Sequence, residues 1–225
     1  MDWLIVLAWG GLVGLDATSF GQFMISRPFV AASILGALLG EPAAGALIGA
    51  AVESFALTAL PIGAARYPES GTAAVAATGA YAAAAPVGTP FTLLVLALLL
   101  ALLWERVGEA SVAALRRVNE RLAAVPAEVE ETEPRWIIGR HALAILLDFC
   151  RAAALAIAGW AIGIVMLVSG SRAWTLSDDV AAGATLIAIA GVLGGAGALF
   201  GGIGERRWVF FAGVACGSLV LFIRL

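Results

Sequence analysis

Residues Gly14–Glu69 read GLDATSFGQFMISRPFVAASILGALLGEPAAGALIGAAVESFALTALPIGAARYPE, and the reading of this stretch decides the fold. Most of it is apolar enough for a bilayer interior, yet Asp16, Gln22, Arg27, Glu41, Glu53 and Glu69 interrupt it. An ionised group in hydrocarbon is costly, so such residues face protein, water or a substrate. Glycines and prolines stand beside these polar positions, where they end helices at membrane depth. Broken helices next to buried polar groups are a transporter signature. The expected fold is an all-α polytopic integral membrane protein, with broken or re-entrant helices in the N-terminal third, around Ala17 to Gly71.

The composition of the whole chain agrees. Hydrophobic residues make up 62% and charged residues 13%, and the mean hydropathy is +1.00, far from the balance of a soluble domain. A chain of 225 residues has room for about six to nine membrane-length pieces and little else, so residues 1–225 read as a single membrane domain. The first residues carry no basic region before their apolar run, since Asp2 is acidic, and no cleavable signal is expected. A net charge of −3 without a basic, aromatic-rich patch gives no reason to expect a nucleic-acid partner. Cys150 and Cys216 lie in apolar runs without a CxxC spacing and read as small hydrophobes. Neither a metal nor a cofactor is expected.

Working outward, Asp2 to Leu15 reads as a first helix and Ala17 to Ser26 as a polar break. Pro28 suits the first turn of a new helix, having no donor to lose. That helix runs from Phe29 to Leu39 and stops at Gly40-Glu41-Pro42. Ala43 to Leu60 is the next, with Gly45 and Gly49 on a face that lets another helix approach closely. Pro61 to Gly71 breaks the chain again. Thr72 to Ala85 is alanine-rich and expected to pack inside protein, whereas Phe91 to Trp104 is the most lipid-like helix. Residues 105–140 hold six of the thirteen basic residues, all arginines, and read as a cytoplasmic amphipathic loop by the positive-inside rule. Its first part, through Ala124, has helical periodicity, and the acidic run Glu128 to Glu133 reads as a solvated linker. Ala142 to Ser169 is a long apolar helix in which Asp148 and Arg151, three residues apart, can share a face and pair. Gly170 to Asp179 is expected outside, followed by crossings at Val180 to Phe200 and Trp208 to Leu225.

A transporter for a neutral sugar replaces the hydroxyls' water with protein groups, and carboxylates or amides bond two adjacent hydroxyls at once. Glu53 inside an apolar helix and Gln22 in the polar break are the candidate sugar contacts, with Glu69 and Asp16 behind them. The alternative for Glu53 is a structural ion pair with Arg27, whose role is to orient a carboxylate or hold the hairpin. Glu41 reads as a cap at a helix break. His141 reads as an interfacial polar residue. No catalytic residue is assigned, for the chain has no HExxH, no GxSxG and no pair of aspartates on facing helices.

Several short motifs stand in an order that resembles one family. They are Ser26-Arg27-Pro28 before an apolar helix, Leu39-Gly40-Glu41, Gly45 to Glu53, Pro61-Ile62-Gly63-Ala64, Pro68-Glu69, and His141 with Arg151. Together they resemble the membrane subunit IIC of mannose-type (mannose–fructose–sorbose) sugar phosphotransferase systems, over nearly the whole chain. The resemblance implies a multi-pass protein of the bacterial inner membrane that binds a hexose or amino sugar with a partner membrane subunit, IID. A phosphohistidine on the cytoplasmic protein IIB, itself supplied by IIA, then phosphorylates the sugar. It also implies an oligomer, and it carries over Glu53, Glu69 and Arg27 as site residues. Many members place an Asp-Glu pair six and five residues before Arg-Pro. Here those positions are Gly21 and Gln22, with Asp16 the nearest acid. The rival readings are an ion-coupled secondary transporter, which the intramembrane acids fit equally, an intramembrane enzyme, and a member retained for sensing or assembly.

Overall fold

The computed structural model describes residues 1–56, 68–124 and 134–174. They form six α-helices in chain order, α1 Asp2–Thr18, α2 Pro28–Leu38, α3 Pro42–Ala56, α4 Ser70–Ala84, α5 Pro90–Ala123 and α6 Pro134–Ala173. Among the described residues there is no strand. The expected crossings Val180 to Phe200 and Trp208 to Leu225 lie outside them, as does Pro61 to Tyr67.

Helix lengths divide the molecule in two. α2 has 11 residues and α3 has 15. At 1.5 Å per residue they reach roughly 16 and 22 Å, short of a hydrocarbon core of about 30 Å. Pro28 starts α2 where no donor is lost. Gly40, at φ +83°, then turns the chain straight into α3. A Cβ on Gly45 would stand 2.4 Å from the Ala32 carbonyl oxygen, so the two short helices meet backbone to backbone. This is the broken-helix arrangement expected of the N-terminal third, and α2 is the partner that the Gly45 and Gly49 face anticipated. By contrast α5 and α6, with 34 and 40 residues, are the two described helices long and apolar enough to cross a bilayer.

α4 is the axis. It touches all five other helices, and 13 of its 15 residues are buried. Its alanines, glycines and threonines keep the helix thin, so neighbours close on it from every side. The expectation that this segment packs inside protein holds. α1 lies against α6 by the same device: a Cβ at Gly10 or Gly14 would fall 2.2 or 2.1 Å from the Cβ of Ala156 or Ala152. Indole N–H groups cross-link the bundle where backbone carbonyls are within reach, Trp9 to Ala31 at 2.9 Å and Trp104 to Leu155 at 3.0 Å.

The stretch 105–140 departs from its expected form. Its first part is helical to Ala123, as the periodicity through Ala124 predicts, but as an unbroken continuation of α5 from Pro90, and α6 begins at Pro134 rather than Ala142. Glu105, Gly108 and Val112 are buried, because α5 carries its inward face past Trp104 to pack on α4 and α6. A charge at the end of a leucine run read as an exit from the membrane. Here it is a buried partner for Ser70 of the preceding helix, α4.

Candidate functional site

Asp16, Gln22, Arg27 and Glu53 of the opening stretch gather at the segment between α1 and α2, residues 19–27. Its backbone is unusual. Gln22 and Met24 have φ of +52° and +66°, a region that side chains with a Cβ avoid, and such conformations persist only where surroundings hold them. Asp16, at the end of α1 and only 3% exposed, does the holding. One carboxylate oxygen accepts the Phe23 N–H and the other the Ser26 N–H, at 2.8 Å for the latter. Gly71 at the start of α4 closes the other side, where a Cβ would meet the Ser26 carbonyl oxygen at 2.2 Å.

At the C-terminal end of this segment Arg27 reaches α3. Its Nη2 lies 2.5 Å from Glu53 Oε1, and Glu53 Oε2 accepts the Phe29 N–H at 3.3 Å. The structural pairing weighed for Glu53 is therefore present in this structure. It is open to exchange, because the Arg27 side chain is 49% exposed and that of Glu53 is 17% exposed. Gln22 is exposed. The large apolar side chains of Phe20, Phe23 and Met24 around it are exposed as well.

Behind this segment lies a second, sealed cluster. Asp148 and Arg151 share a face of α6 as their spacing predicts. Arg151 Nε and Nη2 donate to Asp148 Oδ1 at 2.9 and 2.8 Å. Its two terminal nitrogens also fork onto Glu69, Nη1 to Oε2 at 2.6 Å and Nη2 to Oε1 at 3.0 Å. The remaining Nη1 hydrogen reaches the Ser111 hydroxyl oxygen of α5 at 2.8 Å. A guanidinium has five N–H donors, and all five are used. The other Asp148 oxygen accepts the hydroxyls of Thr18 and Ser19 at the end of α1, and Thr72 donates to Glu69 Oε1 at 2.9 Å. Beside it, buried Glu105 accepts the Ser70 hydroxyl at 2.9 Å. This cluster ties α1, α4, α5 and α6 together directly under the segment 19–27.

The structure thus brings Asp16, Arg27 and Glu53 into contact with one short segment, leaves Gln22 on its exposed side, and sets Glu69 in the sealed cluster beneath. Sequence reasoning missed Thr72, Glu105 and Ser111, and placed Thr18 and Ser19 only in the polar break. Hydroxyls at a helix end or in a charged surface stretch carry no signal of their own until a partner helix is placed. Among the described residues no three of His, Cys, Asp and Glu come together as ligands for a metal ion.

This geometry can be set beside known proteins. The family of sorbose-specific IIC components of phosphotransferase systems matches residues 1–163. The chain belongs to this family. Its members are membrane proteins, and the apolar helices described above fit that setting. A sorbose-specific EIIC component of Lacticaseibacillus casei is 35% identical over 75 residues. That match spans 33% of this chain and 27% of the relative, about a quarter of that protein's length. A solved structure described as "Structure of membrane protein" superposes with a TM-score of 0.66 over 100% of this chain and 95% of the other, at 20% identity. That likeness concerns the fold.

Proposed function

We propose that this chain is the sugar-translocating IIC subunit of a mannose-family phosphotransferase system, binding a hexose or amino sugar and presenting it to a cytoplasmic IIB protein for phosphorylation. The observation that carries the reading is the family match over residues 1–163, joined to a polar segment held in a left-handed conformation among broken helices. Glu53, Gln22 and Arg27 are the proposed sugar contacts, because their side chains are at least partly exposed and Glu53 has one oxygen committed only to a 3.3 Å backbone contact. Asp16 and Glu69 act from behind, by holding the segment and the helices under it. In this reading the chain is a multi-pass protein of the bacterial inner membrane, assembles as an oligomer with IID and receives IIB and IIA on the face where the arginines of residues 105–140 end. It carries out no phosphoryl transfer itself.

The test is sugar uptake in cells or vesicles that contain the complex. Accumulation as sugar phosphate that stops when phosphoenolpyruvate-dependent transfer is removed supports the proposal. Uptake of unmodified sugar that collapses with an uncoupler would assign an ion-coupled transporter instead.

A further inference from the structure

The C-terminal end of α5 and the N-terminal end of α6 enclose a cleft of 460 Å³ that the sugar-handling residues do not use. It is lined by Asn119, Leu122, Trp136, Ile137, Arg140 and His141, among others. Four features give it chemical character. Arg140 lies over the Trp136 ring, its guanidinium carbon 3.8 Å from the ring centre, a placement that fixes the cation without neutralising it. Nη1 of the same arginine donates to the carbonyls of Leu122 and Ala124, at 2.5 and 3.1 Å, and closes the end of α5. The Asn119 amide oxygen is buried and has no hydrogen-bond partner, an arrangement that costs stability unless something donates to it. Arg117 and Arg121, with Glu120 between them, line a neighbouring cleft of 380 Å³.

The position of the cleft narrows the choice of occupant. Along α6 the large apolar side chains are exposed from Ile137 and Ile138 through Leu143 and Leu146 to Ile162 and Val165, the band a lipid-facing helix presents. The cleft opens at the first turns of that band, where Trp136, Arg135 and Arg140 stand as an interfacial belt would. A molecule seated there meets a cation and an unpartnered acceptor on the inside and an apolar wall beside it.

We infer that this cleft holds the headgroup of an anionic phospholipid whose phosphodiester bears a hydroxylated substituent, as in phosphatidylglycerol. The phosphate faces Arg140 and His141. A headgroup hydroxyl donates to the Asn119 oxygen, and an acyl chain lies along Ile137 and Ile138. The occupant depends on the chain lying in a bilayer, and not on which solute the chain moves.

The experiment is lipid retention by the full-length chain, purified from membranes with whatever subunit accompanies it, stripped of lipid and returned to phosphatidylcholine nanodiscs doped with phosphatidylglycerol. Wild type should retain phosphatidylglycerol at least about tenfold over phosphatidylcholine, as expected where charge-assisted bonds discriminate. Asn119→Leu should lower that preference by about fivefold while leaving the melting temperature unchanged or raised, since it removes a buried polar atom without a protein partner. Arg140→Gln should lower it by about tenfold. Because Arg140 also closes α5, His141→Gln serves as a second variant that leaves that closure in place. Equal retention of the two lipids by wild type, or an unchanged preference in Asn119→Leu and His141→Gln, overturns the inference. So does displacement by inorganic phosphate, which would make this a free-anion site, or displacement by a soluble phosphocarrier protein, which would make it a protein dock.

Discussion

Arg27 and Arg151 each hold a carboxylate, and the contrast between them separates the working surface of this chain from its frame. Arg151 is 11% exposed, its two carboxylate partners are 1% and 0% exposed, and every one of its donors is committed. Nothing is left over for a substrate. Arg27 makes one ion pair in the described structure and stands half in solvent. A pair of that kind is worth little, about 0–1 kcal/mol, because water competes for both partners. The same weakness lets a sugar hydroxyl replace one partner at small cost. A saturated, buried cluster fixes four helices, whereas a loose pair at the rim of the segment 19–27 can exchange. Position relative to water, and not residue type, assigns the roles.

The largest effect should come from the frame. Arg151→Met leaves Glu69 and Asp148 buried without a cation, a change that costs roughly 3–5 kcal/mol. Folded yield in the membrane and the melting temperature of what remains should both fall steeply. Adding Glu69→Gln should recover part of the loss, because one uncompensated charge disappears. An Arg151→Met protein of unchanged stability would erase the distinction between frame and surface.

Next comes the anchor between them. Asp16 holds the Phe23 and Ser26 N–H groups with its two oxygens, and Asp16→Asn keeps the shape while leaving one neutral acceptor and setting an NH2 donor against the other N–H. The loss of one bond, with its N–H left unsatisfied, sets the expected cost at about 1–3 kcal/mol. The protease sensitivity of the segment 19–27 should change before the rest of the molecule does. If sugar binding is lost with no change in that segment, Asp16 touches substrate directly and the boundary between the two regions moves inward.

Much of this arrangement was legible in the residues. The starts of α2 and α3 and the burial of α4 followed from prolines, glycines and alanines whose backbone consequences are local; the first helix was read to Leu15 and continues to Thr18. The pairing of Asp148 with Arg151 followed from helical spacing alone. What could not be read was the sealed cluster, whose pairs need distant helices in place. Glu69 joins Arg151 across 82 positions, and Ser70 meets Glu105 across 35. Glu105 and Ser111 lay in a stretch whose arginines signalled an exit from the membrane, and that signal hid the inward face of α5. Of the candidate site, the gathering of Asp16, Arg27 and Glu53 around one segment was foreshadowed by their crowding in the sequence. The left-handed backbone at Gln22 and Met24 was not, for neither residue is a glycine.

The smallest change carries the central claim, that the rim binds and the frame only holds. Glu53→Gln keeps the shape of the side chain and removes its charge. Sugar affinity and melting temperature should be measured on the same purified complex. The account predicts an affinity at least about tenfold weaker, equivalent to ~1.4 kcal/mol, with a melting temperature lowered by no more than the loss of an exposed ion pair allows. Unchanged affinity together with a depressed melting temperature would contradict it, and would place Glu53 with Arg151 in the frame.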